Sequence, residues 1–268
     1  MEVIVMTNEK GGVGKTTTAI TLATMLNDRG FKTLLIDANP TVNATSTYRA
    51  RQGKGVATLY DVILAVERIP MEEAIQTVEK DGTLGDIVPG DKLMEGADIV
   101  LFREPEGIFR LKEALDELKG YDYVLIDTPQ NYGSILQSCM IAADKLIVPC
   151  LADDYSEMGL SGLTKVVAPI KQRYNPKLII DGILLVRVKN TKLRKYVETK
   201  LRAVAKEQIG TKVYRTAIRD CNSVPESQKL KRALGEFAPR STAALDYKDV
   251  LDEMLGLEPK EENNGKKY

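Results

Sequence analysis

The chain has no histidine. That absence removes imidazole general bases, His-based triads and histidine metal sites together. Any chemistry must use carboxylates, lysines, backbone amides and a metal held by oxygen. Tryptophan is missing too, and only three cysteines are present, Cys139, Cys150 and Cys221. They form no CxxC pair and no metal-ligand spacing, so they read as small buried hydrophobes. No apolar run reaches the roughly 18–20 residues that a membrane span needs. The opening MEVIVMTNEKGG turns polar too soon for a signal peptide. The expectation is a cytoplasmic protein without a membrane partner. A charge excess of one sign is also lacking: Lys+Arg and Asp+Glu each number 38, so the bulk charge names no partner.

What is present is an ordinary globular composition, 43% hydrophobic and 28% charged over 268 residues, long enough for a sizeable core. Short apolar runs alternate with helical patterns. Val3–Met6, Thr33–Ile36, Tyr123–Ile126, Leu146–Val148 and Leu178–Val188 read as strands, with Ile87–Val88 a short strand end and Lys212–Ile218 a late strand. Helices are expected over Thr16–Asp28, Leu59–Val66, Ile108–Leu118, Gly159–Arg173, Thr191–Gln208 and Ala243–Leu255. In the first of these, Ile20, Ala23 and Leu26 face inward. Strands separated by helix-length segments indicate βαβ units. Continuous Val/Ile/Leu runs indicate strands covered on both faces. The fold class is α/β, a mostly parallel twisted sheet flanked by helices, in one domain over 1–257. The polar tail 258–268 (EPKEENNGKKY) is expected to be disordered.

KGGVGKTT, Lys10–Thr17, follows the first strand and opens the first helix. Backbone N–H groups of Gly11, Gly12, Val13 and Gly14 can point at phosphate oxygens there, and the helix dipole favours the anion. Lys15 would reach the β- and γ-phosphates and Thr16 would bind Mg²⁺. The ordinary pattern begins with glycine, but Glu9 holds that position and a second lysine, Lys10, precedes the glycine pair. Two strands end in aspartate: Asp37 closes LLID and Asp127 closes YVLID. Strand C-terminal ends form the ligand crevice of a parallel sheet, so Asp127 fits a carboxylate beside Mg²⁺.

KGGVGKTT, IDANPTVNAT and YDYVLIDTP resemble the deviant Walker A, A′ and Walker B motifs of ParA/MinD-type ATPases, and within them the short ParA type of DNA partition ATPase. GLSGL at Gly159–Leu163, DGILLV at Asp181–Val186, KVYRTAI at Lys212–Ile218 and APRSTAALDY at Ala238–Tyr247 follow in the family's order. The resemblance implies an ATP·Mg²⁺ sandwich homodimer in which Lys10 reaches the partner copy's phosphates. It implies a P-loop built from Lys10, Gly11, Gly12, Val13, Gly14, Lys15, Thr16 and Thr17, with metal-side residues Thr16, Asp37 and Asp127. It also implies a ParB-like centromere-binding partner that stimulates hydrolysis, and a nucleoid-associated location. The family's D-x-D-P reads Asp37-Ala38-Asn39-Pro40 here. Asn39 stands where a carboxylate helps position the attacking water, and an amide cannot accept a proton. Gln130 stands where the family has a second proline. Arg187 and the Ile218–Cys221 turn are candidates for the base pocket. The nine residues before Lys10 are too few for a helix-turn-helix, so the short type without one is expected.

Residues 187–232 hold fourteen Lys/Arg against four acids, a net +10 inside a neutral chain. On the helix near 191–208, Lys192, Lys195, Arg202 and Lys206 form one stripe, and Leu193, Val197, Leu201 and Val204 the opposite one. The basic stripe, with Lys189 and Arg219, reads as a duplex-DNA contact made through phosphates and tolerant of sequence. The bland alternative is a solvated face. Rival readings are a MinD-like membrane-positioned regulator, an iron–sulfur carrier of the same fold class, a bacterial tyrosine kinase, and an ATP-dependent DNA-binding module that Asn39 leaves with little hydrolysis.

Overall fold

A computed structural model of the chain describes residues 1–78, 85–151, 156–189 and 192–257. The expected tail 258–268 lies outside the described residues. Eight strands form one sheet: β1 (Glu2–Met6), β2 (Thr33–Asp37), β3 (Gln76–Val78), β4 (Gly85–Val88), β5 (Tyr123–Asp127), β6 (Lys145–Leu151), β7 (Ile179–Val186) and β8 (Lys212–Val213). Their spatial order is β3-β4-β2-β5-β1-β6-β7-β8. Every adjacent pair is parallel except the edge hairpin β3–β4.

Alternation along the strands explains why both faces are covered. In β1, Val3 and Val5 belong to one apolar cluster while Ile4 and Met6 belong to the other. The same split runs through Leu34/Ile36 against Leu35 in β2, and through Val124/Ile126 against Leu125 in β5. Successive side chains of a strand point to opposite faces, so an all-apolar run needs two helical layers. One layer contains helix α1 (Lys15–Asp28) and the helix Thr242–Met254, whose Tyr247 Oη lies 3.0 Å from Thr18 Oγ1. The other contains the helix Ser134–Ala142. Ile20, Ala23 and Leu26 of α1 are buried as expected.

Several elements differ from the sequence pattern. The helix expected over Leu59–Val66 stops at Ile63, because Leu64 and Ala65 both donate to the Tyr60 carbonyl and close the turn. Pairing of β8 ends at Val213: Tyr214 and Ile218 still donate to β7 carbonyls, but the Arg215 N–H turns to Glu253 Oε2. The helix expected from Thr191 runs over Lys192–Val204, then widens into a π turn, Ala205–Ile209, closed by Gly210 at φ 72°. The helix Ser134–Ala142 was hidden because its sequence, SILQSCMIA, is apolar almost all round and shows no stripe. Pro149 sits inside β6 beyond Ile147, the last residue that β1 pairs with, so the missing N–H leaves β1 no bond to lose.

Candidate nucleotide site

The turn between β1 and α1 lies over the C-terminal ends of the central strands. Gly12 and Gly14 adopt φ of 70° and 79°, a left-handed region that glycine enters without penalty. Gly14 then caps α1, and its carbonyl accepts from Thr18 N at 2.9 Å. No side chain caps the first turn of α1, so its N–H groups face the cavity in front of them.

Lys15 is buried and curls back over its own loop, donating to the Asn8 carbonyl at 2.8 Å and the Lys10 carbonyl at 3.4 Å. Burial depresses its pKa, against the pull of the Asp127 charge. Asn8 anchors the turn from below. Its Oδ1 accepts from Lys10 N at 2.9 Å, and its Nδ2 donates to Pro149 O at 2.7 Å. Nothing in the sequence reading singled out Asn8; its place just before the lysine–glycine run was the available signal.

Parallel pairing of β2 with β5 sets Asp37 directly beside Asp127. Both carboxylates are fully buried. Asp127 Oδ2 accepts from Thr16 Oγ1 at 2.7 Å. Its Oδ1 is buried with no hydrogen-bond partner among the described residues. Asp37 is occupied on both oxygens: Oδ2 accepts from Thr45 N at 2.8 Å and Thr45 Oγ1 at 2.7 Å, and Oδ1 from Asn39 N at 3.2 Å. Burial, then the Asp37 charge, raises the Asp127 pKa; burial raises that of Asp37. Thr45 also accepts from Gly90 N at 2.9 Å, which ties the turn after β2 to the end of β4. The sequence reading missed Thr45, although it lies inside IDANPTVNAT. Asn39 spends both ends of its amide locally: Oδ1 accepts from Thr41 N at 3.1 Å and Nδ2 donates to Thr128 O at 3.4 Å.

A cavity of about 770 Å³ opens over this floor. Gly12, Val13, Gly14, Lys15, Thr16, Thr17, Asn39 and Gln130 line one end. Arg187, in the left-handed region at φ 52°, the Ile218–Cys221 turn, and the segment Val224–Arg232 line the other. That last segment contributes Gln228, which donates to Thr17 Oγ1 at 2.6 Å and joins the two ends. The helix Ser223–Lys229 was not foreseen; it has only seven residues and no apolar stripe. Lys10 is half-buried and outside the cavity lining among the described residues. Cys139 and Cys150 are buried, and burial pushes the Cys139 thiol up to about 12. Cys221 corrects the reading of all three as buried hydrophobes. It is half-exposed at the cavity wall, because the turn after Ile218 follows the rim. Burial raises its pKa, but hydrogen bonds from Thr242 and Ser223 outweigh that and leave it lowered.

The expected basic stripe divides. Lys189 is exposed and pairs with Asp220 at 3.5 Å; Lys206 is exposed. Arg202 is half-buried, donating to Glu198 Oε1 at 2.7 Å and to the Val213 and Tyr214 carbonyls at 2.8 and 3.0 Å. Arg219 is clamped on Asp246 at 2.6 Å. The side chains of Lys192 and Lys195 lie outside the described residues. Leu201 is buried, as its stripe requires. No helix among the described residues is long and apolar enough to cross a membrane.

Comparison with known proteins places this geometry. Residues 1–180 match a family model described as an AAA domain. The chromosome-partitioning ATPase Soj of Thermus thermophilus is 33% identical over 253 residues, 94% of each chain. The chain belongs to the ParA/MinD superfamily. Another superfamily relative, the chromosome partitioning protein ParA of Caulobacter vibrioides, is 33% identical over 96% of this chain and 95% of its own. Among solved structures, cobyrinic acid a,c-diamide synthase of Mycobacterium smegmatis, with a bound ATP analogue and magnesium, has the same fold. Its TM-score is 0.80 at 23% identity, covering 95% of this chain and 94% of that one.

Proposed function

We propose that this superfamily member is an ATP-switched DNA partition ATPase. It binds ATP and Mg²⁺ in the cavity, pairs with a second copy around two nucleotides through Lys10, and in that state binds duplex DNA without sequence preference. A ParB-like centromere-binding partner would trigger hydrolysis and release. The protein would work in the cytoplasm, on the nucleoid.

One observation carries the reading. Among the described residues, Asp127 Oδ1 is buried with no hydrogen-bond partner within bonding geometry, next to the Thr16 hydroxyl at the start of α1. A buried acceptor left unsatisfied costs about 1–3 kcal/mol. A hard cation with oxygen ligands satisfies it, and Mg²⁺ takes one or two protein oxygens while keeping waters and phosphate oxygens. Thr16 and Asp127 are therefore the residues that would hold the ion. Mg²⁺, when bound, neutralises charge on the phosphates. Lys15 would leave the Asn8 and Lys10 carbonyls for the phosphate oxygens. Asp37, with both oxygens engaged, would hold the 39–45 turn in place.

Exposed Lys189 and Lys206, with Lys192 and Lys195 on the helix between them, would supply phosphate contacts. Arg202 and Arg219 are committed to internal partners, and their contribution to DNA would be positional. A second reading, an ATP-dependent DNA-binding module with little hydrolysis, is favoured by the locally engaged Asn39 amide.

The deciding experiment measures duplex-DNA affinity with ATP, ADP and no nucleotide across a salt series. Tight, salt-sensitive binding with ATP alone is expected. Equal affinity in all three states would sink the switch.

A further inference from the structure

Gln130 departs from the family pattern, and the proposed cycle gives it no task. It follows β5 three residues after Asp127, at the phosphate end of the cavity. Its carboxamide lies flat against the glycine loop: a Cβ added to Gly11 would stand 2.7 Å from Oε1 and 3.0 Å from Nε2. Gln130 is exposed, and among the described residues it makes no hydrogen bond. Asn39, across the same end, has both amide ends tied to the backbone. None of the described residues lining this end carries a carboxylate, and Asp37 and Asp127 are 0% exposed.

We propose that Gln130 orients the attacking water for ATP hydrolysis in this chain, in place of the carboxylate that Asn39 lacks; this rests on the ATPase reading above. The chemistry needs an acceptor for a water hydrogen and a donor toward a phosphoryl oxygen. One carboxamide offers both, and positioned glutamine serves this purpose in other phosphate-loop enzymes. The water oxygen forms a bond to the γ-phosphorus while the bond from that phosphorus to the β–γ bridging oxygen breaks. ADP leaves with the electron pair. The water proton passes to a γ-phosphate oxygen and then to solvent, because neither Gln130 nor Asn39 can take it. Without a base near the water, hydrolysis is slow but not absent.

The test is a double-substitution cycle on the full chain, using Gln130→Ala, Asn39→Asp and the pair. Radiolabelled ATP in single turnover reads hydrolysis, and a fluorescent ATP analogue reads binding. Gln130→Ala should slow turnover roughly a hundred- to a thousandfold, the loss expected for one preorganised polar group, with analogue affinity unchanged. In the Asn39→Asp background the same substitution should cost less than about threefold, because the introduced carboxylate would then hold the water itself. That non-additivity separates water orientation from structural support. The inference is overturned by unchanged turnover in Gln130→Ala, by an equal loss in both backgrounds, or by parallel loss of binding and turnover. It is also overturned if the unsubstituted chain binds the analogue and never hydrolyses ATP. Failure to bind the analogue at all would overturn the ATP reading first, and the binding arm distinguishes that result.

Discussion

The buried Asp37–Asp127 pair and the missing histidines combine into one sharp expectation about pH. Burial and the neighbouring Asp37 charge push Asp127 up to about 8. In the unfolded chain a carboxylate titrates near 4. Between those values the folded, nucleotide-free protein holds a proton that the unfolded chain has released. Stability therefore falls as pH rises through this window and returns as pH falls. One proton is worth up to about 1.4 kcal/mol per pH unit, so moving from pH 8 to pH 6 should stabilise the apo chain by about 2 kcal/mol. For a chain of this size that is a melting-temperature gain of roughly 4–8 °C. No histidine titrates in the window to blur the signal. The assay is thermal melting by circular dichroism without nucleotide and with chelator, from pH 6 to pH 8. Asp127→Asn should flatten the slope and melt higher than the parent at pH 8. A flat or rising profile in the parent, or an undiminished slope in Asp127→Asn, would refute the argument.

Further outcomes follow from the same geometry. Lys10→Ala should remain monomeric with ATP in light scattering while binding ATP normally; a dimer would end the cross-dimer role of Lys10. Asn39→Asp should raise ATP turnover without tightening ATP binding, and equal rates would remove position 39 from the mechanism. Lys189→Ala with Lys206→Ala should weaken binding to unrelated duplexes alike and flatten the salt slope by about 1.8 per protomer, at about 0.9 per contact, with melting unchanged. Arg202→Ala should instead lower stability by about 1–3 kcal/mol, because the Val213 and Tyr214 carbonyls lose a charged donor.

The sheet was legible because its central strands are uninterrupted apolar runs, and both faces of β1, β2 and β5 are in fact buried. The phosphate loop was legible because a strand, a glycine turn and a helix coincide in fifteen residues or so, a local pattern. What escaped was set by tertiary contact. Asn8 matters through a carbonyl 141 residues away, and Gln228 through a hydroxyl 211 residues away. Short helices such as Ser223–Lys229 and Leu234–Phe237 carry too few residues for a period to emerge. Leu234–Phe237 packs beside α1, and Ser223–Lys229 packs on Leu234–Phe237 and reaches α1 through the Gln228–Thr17 hydrogen bond, so no local propensity announces them.

Charge shows the same limit, and it bears on how DNA binding should be measured. The segment 187–232 carries +10 in sequence. In space, acids from the helix Thr242–Met254 return to it. Asp246 takes Arg219 at 2.6 Å, and Glu253 takes Lys212 at 3.4 Å and Arg215 at 3.5 Å. Within the segment, Glu198 takes Arg202 and Asp220 takes Lys189. Charges already neutralised by carboxylates release fewer counterions when phosphate arrives. Fourteen independent phosphate contacts would give a salt slope near 13 per protomer, at about 0.9 each. The expected slope is well below that, since several of the fourteen cations have internal partners. The exposed pairs, Lys189–Asp220 above all, are weak enough to open on DNA, whereas Arg219 on buried Asp246 is not. A measured slope near the full value would show that even the Arg219–Asp246 and Arg202–Glu198 pairs break on the duplex. It would also make the fold of the 212–219 segment dependent on DNA, which a loss of amide protection there on binding would reveal.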